Sequence, residues 1–143
     1  MEDLSLHILD IAENSLRAGA KSVKIKLIEN RKENKLTLKF EDNGHGMDEK
    51  TLKSAANPFF TTKKGKKFGL GIPFLSQASE EAGGSVTVES NSNKGTRITA
   101  TFDMNNIDMK PIGDIDKTIR VLKASHPEVN FSFEHIIENG TSQ

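Results

Sequence analysis

At 143 residues the chain has room for one domain whose core removes roughly two-thirds of its unfolded surface from water, but not for two full domains. Its 20 basic and 20 acidic side chains cancel, so no global field draws it to nucleic acid or anionic lipid, and any electrostatic function is local. The lack of Cys excludes disulfides, thiolate zinc sites and a cysteine nucleophile. An acidic Met1-Glu2-Asp3 start, and no apolar run near the roughly 20 residues of a membrane span, lead us to expect a cytoplasmic protein.

In chain order, Leu4, Ile8, Ile11, Ala12, Ser15 and Leu16 recur at three- and four-residue intervals and predict an amphipathic helix over Leu4–Arg17, capped by Asp3 and ended by Gly19. Val23, Ile25 and Leu27 then alternate with lysines. After a polar turn at Asn30–Asn34, Leu36, Leu38 and Phe40 do the same, which predicts a hairpin with one wet face. A short helix is expected near Asp48–Ala56 and a longer one near Leu70–Ala82. Between them lies the Lys-rich, aperiodic segment Asn57–Phe68, which reads as a functional, mobile loop. Val86 and Val88, a turn at Asn91–Gly95, and Ile98, Ala100 and Phe102 predict a second hairpin. Beyond it come a helix near Asp114–Ser125 and a candidate strand, Val129–Ile136, before a Gly/Ser/Gln tail. Half-buried strands need a second layer, so the expected fold is an α+β, two-layer α/β sandwich with helices on one face of a mixed, mostly antiparallel sheet. His126 and His135 read as ordinary surface histidines.

Three segments carry chemistry. On the first helix, Asp10 and Asn14 lie four apart and point within roughly 40° of one another, with Arg17 three further on. Carboxylate, amide and guanidinium on one line offer a base, a cation ligand and a phosphate contact, although a solvated polar face has the same look. Asp42-Asn43-Gly44-His45-Gly46-Met47 follows a strand directly. Its glycines let backbone approach a flat ligand and its carboxylate can accept from an exocyclic amine, whereas the plainer reading is an Asn-Gly turn. In Asn57–Ile72, Gly69-Leu70-Gly71 opens a helix, whose free N–H groups and positive dipole end favour phosphate. Thr61, Thr62 and four lysines precede it, and a lysine run is more often just a solvated loop.

The order of these segments resembles the Bergerat-fold, or GHKL, ATP-binding domain shared by histidine kinases, type II topoisomerases, mismatch-repair ATPases and the ninety-kilodalton heat-shock chaperones, here in a stand-alone, single-domain form. Glu13-Asn14-Ser15-Leu16-Arg17-Ala18-Gly19-Ala20 is similar to the N box, which implies ATP and Mg2+ as cofactors, Asn14 as the magnesium ligand and Arg17 as a phosphate contact. Asp42–Met47 resembles the G1 box, with Asp42 reading adenine beside Gly44, Gly46 and Met47. Asn57–Lys63 resembles the F box of kinases, which brings in Phe60, Thr61, Thr62 and Lys63, and Gly69, Leu70 and Gly71 resemble the G2 box that ends the ATP lid. Gly83–Ser90 and Gly95-Thr96 look like the closing strand pair, with Thr96 near the adenine pocket.

The family's water-activating Glu lies four residues before the magnesium Asn, a place held here by Asp10. The resemblance thus makes Asp10 the candidate base, with a shorter arm, and Glu13 the less suited one, since it is rotated about 100° from Asn14. No helical hairpin with a phospho-accepting histidine precedes the N box, so autophosphorylation in cis is not expected. The expected division is an ATP-binding domain over residues 1–104 and a C-terminal extension over 105–143. The leading function is a kinase-like ATP-binding module that phosphorylates, or reports nucleotide state to, a separate partner protein, with neither nucleic acid nor membrane as partner. The alternatives are an ATPase switch whose lid closure drives assembly, and a non-catalytic nucleotide-dependent binder of the anti-sigma type.

Overall fold

The computed structural model describes residues 3–44, 71–91, 95–106, 109 and 112–138. Helix α1 spans Leu4–Arg17, as its periodicity predicts. The Asp3 side chain accepts from Leu6 N at 3.1 Å, satisfying one of the donors that a helix start leaves unpaired. Leu4, Ile8, Ile11 and Ala12 lie on the buried stripe. At the other end Gly19 adopts positive φ and Ala20 N returns to Ser15 O at 3.0 Å, closing the helix.

Strands β1 (Ser22–Asn30) and β2 (Lys35–Asp42) form the first hairpin, and β3 (Val86–Asn91) and β4 (Gly95–Asp103) the second. Helix α2 (Gly71–Glu81) runs between the hairpins. Helix α3 (Ile115–Ser125) and strand β5 (Asn130–Glu138) follow β4. The helix expected near Asp48–Ala56 falls outside the described residues. The sheet order is β3-β4-β2-β1-β5, antiparallel throughout except that β5 lies parallel to β1. This is the α+β sandwich that the patterning predicts. Alternation gave β5 as a strand but not its direction, which follows from α3 crossing over the sheet before the chain returns.

One face of the sheet is apolar and covered. Val23, Ile25 and Leu27 of β1, Leu36, Leu38 and Phe40 of β2, and Ile98, Ala100 and Phe102 of β4 point into it. There they join Leu75, Ala78 and Ala82 of the α2 segment and Ile115, Ile119 and Leu122 of α3. Deleting one of the larger side chains, such as Phe102 or Leu36, carries the usual core penalty of about 2–5 kcal/mol. Val129 and Phe131 also enter this core, so the last helix and strand complete the same two layers. The chain leading into α3 is tied to the start of α1 as well, with Ser5 N donating to Ile112 O at 3.1 Å. Among the described residues no helix is long and apolar enough to cross a membrane.

Candidate functional site

The site is built where β2 ends. Because side chains alternate along a strand, Glu41 faces the open side of the sheet and Asp42 the side covered by helices. Both Asp42 oxygens are engaged. Oδ2 accepts from Ser15 Oγ at 2.6 Å, and Oδ1 accepts from Gly44 N at 2.9 Å in a tight local turn. Ser15 is a buried polar residue of α1, as Ser5 and His7 are, so its hydroxyl needs a partner, and Asp42 supplies one. Each carboxylate oxygen has about two acceptor directions, so Asp42 keeps capacity for a further donor.

Three other segments are clamped around this carboxylate. Asn43 Oδ1 accepts from Lys21 N at 2.8 Å and Ser22 N at 2.9 Å, stitching the end of β2 to the entrance of β1. Gly44 runs under the end of α1, where a Cβ would stand 2.9 Å from Ala18 O. Gly95 opens β4 at φ +94, and a Cβ there would meet Asp42 O at 2.1 Å, so no other residue fits. Behind Gly95 the register pairs Asp42 with Thr96, which places Thr96 beside the expected adenine reader.

The neighbouring helix face carries the second group. Arg17 Nη1 donates to Asn14 Oδ1 at 2.7 Å, while Asn14 Nδ2 is buried and meets no hydrogen-bond partner among the described residues. Asp10 and Glu13 are exposed on the same helix. Of the predicted site residues, the structure thus pairs Asn14 with Arg17 on α1 and sets Asp42, bonded to the adjacent Ser15, beside Gly44 and Thr96. Gly71 opens α2. Gly46, Met47, Phe60, Thr61, Thr62, Lys63, Gly69 and Leu70 lie outside the described residues. Among those described, no group of three or more His, Asp or Glu side chains converges as a metal cage. A cation at Asn14 would take its remaining oxygens from its own waters or from a ligand, the habit of Mg2+.

Ser15, Asn43 and Gly95 fall inside the quoted motifs, but the sequence assigns them no role of their own. A hydroxyl inside an apolar stripe and a glycine at a strand start are the signals that carry them. The sequence reading missed a contact at the far end of β1. Glu29, buried on the covered face, bonds His135 Nε2 at 2.5 Å, so that histidine ties β5 to β1 rather than lying idle on the surface. On the sheet's open face, Lys24, Lys26, Lys39, Glu41, Arg97 and Thr99 border a shallow groove of about 630 Å³ that contains none of the expected site residues.

Residues 2–106 match the family described as histidine kinase-, DNA gyrase B-, and HSP90-like ATPase. Sporulation kinase D of Bacillus subtilis is 32% identical over 95 residues, which are 66% of this chain and 19% of that protein. Sensor histidine kinase YvrG of the same organism is 31% identical over 93 residues, 62% of this chain and 16% of that protein. This chain therefore spans under a fifth of either kinase. The N-terminal domain of a DNA repair protein superposes with a TM-score of 0.57 over 100% of this chain and 51% of its own, at 17% identity, a likeness of fold alone.

Proposed function

The chain belongs to the histidine kinase-, DNA gyrase B-, and HSP90-like ATPase family, and from that premise we propose that it binds Mg-ATP against α1 and the end of β2 and uses it to phosphorylate, or to report nucleotide state to, a separate partner protein. The observation that carries this reading is the Ser15–Asp42–Gly44 linkage, which fixes a carboxylate at a strand end with acceptor capacity to spare, next to a helix that carries an amide oxygen and a guanidinium.

In this reading Asp42 accepts from the exocyclic amine of adenine, and Thr96 and Gly44 line the same pocket. Asn14 offers a neutral, hard oxygen suited to Mg2+, and its buried Nδ2 lacks an acceptor that a phosphate oxygen would provide. Bound Mg2+ would neutralise developing charge on the phosphates. Arg17 contacts the polyphosphate, and Phe60, Thr61, Thr62, Lys63, Gly69, Leu70 and Gly71 are the further nucleotide contacts that the family's lid motifs imply. Asp10 orients the accepting group or a water from one turn earlier on α1. Its arm is one methylene shorter than glutamate's, and a misplacement near 1 Å costs on the order of a hundredfold in rate, so turnover without the partner is slow.

The test is incubation with γ-labelled Mg-ATP, alone and with separately purified receiver or histidine-bearing proteins, separating label on protein from free phosphate. The kinase reading expects slow phosphate release from the chain alone and label on a partner. Asp10→Glu should raise the release and Glu13→Gln should change it little. Fast release by the wild-type chain alone, abolished by Glu13→Gln, would replace this reading with an ATPase switch.

A further inference from the structure

Two side chains on the final turns of α1 are bonded to each other rather than presented separately. Arg17 Nη1 holds Asn14 Oδ1 at 2.7 Å, and Asn14 Nδ2 is buried with no hydrogen-bond partner among the described residues. Chemistry fixes the orientation of that amide. Exchanging its oxygen and nitrogen would aim an NH2 group at a guanidinium, which has only donors. The atom held by Arg17 is therefore the oxygen, the one atom of an asparagine side chain that binds a hard cation. That oxygen keeps a second lone pair, but a cation taking it would sit against the guanidinium, so Arg17 disfavours a metal ion at Asn14 by like-charge repulsion.

We infer that Arg17 is a positioning residue that holds the Asn14 oxygen while no nucleotide is bound and gives it up to follow a polyphosphate; the inference rests on the proposed nucleotide site. The amide oxygen is neutral and takes one bond from the guanidinium, whereas ionised phosphate oxygens add direct charge pairing and can take its two parallel N–H groups bidentately. The exposed guanidinium sits on a long, flexible stem, so it changes acceptor without a backbone movement. Its departure frees Oδ1 when the nucleotide arrives, and the same phosphates offer an acceptor to the buried Nδ2. Nucleotide and cation then bind cooperatively at Asn14, and a cation alone binds poorly because it meets Arg17 first.

Manganese, read by the loss of its free EPR signal, tests this in the full chain without any measure of turnover. Arg17→Ala should bind Mn2+ alone about threefold or more tightly than the wild type, yet bind metal-free ADP about tenfold more weakly. The two effects have opposite signs, which a merely structural role of Arg17 would not produce. In the double variant Asn14→Ala/Arg17→Ala the gain in Mn2+ affinity should vanish, because the oxygen that was released is gone. In the wild type, metal-free ADP should shift the Asn14 side-chain amide resonances. Equal Mn2+ affinity in wild type and Arg17→Ala, undetectable binding to both included, overturns the inference. So does a gain that survives in the double variant, which would be removal of charge and nothing more. Failure of ADP to bind under any condition instead overturns the nucleotide site on which the inference rests.

Discussion

Glu41 and Asp42 are consecutive carboxylates on one strand, and the two faces of the sheet give them different work. Glu41 stands on the open face and takes two hydrogen bonds from Arg97, at 3.1 and 2.8 Å, with both side chains about half exposed. Arg97 also lies 3.7 Å from Glu89, so this row is a chain of alternating surface charges. Asp42 stands one residue on, against α1, and takes one bond from a buried hydroxyl and one from a backbone amide. A solvated ion pair gains little because water and salt serve both partners as well. A carboxylate held by fixed, partly buried neutral donors is pre-aimed and retains acceptor capacity. By charge the two look alike; the pleat and the opposing helix separate them.

Substitutions at the two positions should therefore diverge. The largest effect is expected from Asp42→Asn, which turns one acceptor oxygen into a donor. Loss of a charged hydrogen bond costs on the order of 1.5–3 kcal/mol, roughly ten- to a hundredfold in ADP affinity by calorimetry. Next comes Ser15→Ala, which leaves the Asp42 carboxylate unanchored on one side. It should weaken ADP binding by roughly two- to tenfold and destabilise the chain by about 1 kcal/mol in denaturant unfolding. Glu41→Gln should change ADP affinity by less than about twofold, which makes it the control for loss of a neighbouring charge.

The smallest effect is a pH dependence of stability. The Arg97 hydrogen bond holds the Glu41 carboxyl below its usual range, and the Ser5 hydroxyl does the same for Asp3. In each case the folded chain binds the proton less readily than the unfolded chain. The stability they contribute is therefore full above the ordinary carboxylate range and is lost as the pH falls through the lowered values. Melting curves of wild type and Glu41→Gln from pH 7 down to pH 3 should converge at the acid end, and high salt should narrow the gap at neutral pH because Glu41 is exposed.

Periodicity alone carried most of the fold. The α1 stripe and the alternation of β1, β2 and β4 report a local choice between two faces, and their boundaries fall where the caps and turns are written. The direction of β5 was not legible, because pairing with β1 depends on how α3 crosses the sheet, and strand alternation is the same for either direction. At the candidate site, spacing put Asn14 and Arg17 on one helix face and Asp42 at a strand end, while their expected roles came from the resemblance of their segments to the N and G1 boxes. Ser15 did not stand out, since a small hydroxyl in an apolar stripe passes for core until the Asp42 carboxylate is placed opposite it. Gly95 was named only as part of the closing strand pair, because what demands a glycine there is a backbone carbonyl 53 positions earlier in the chain, at Asp42.

The central claim, that nucleotide is read on the covered face at the end of β2, is tested most directly by mapping amide shifts in 1H–15N spectra as Mg-ADP is added to the 143-residue chain. The account predicts the largest shifts at the Ser15 and Gly44 amides, at Thr96 and at the Asn14 side chain, with Lys39 and Thr99 of the open face little changed. Shifts centred on the open-face groove, or none at saturating nucleotide, would contradict it.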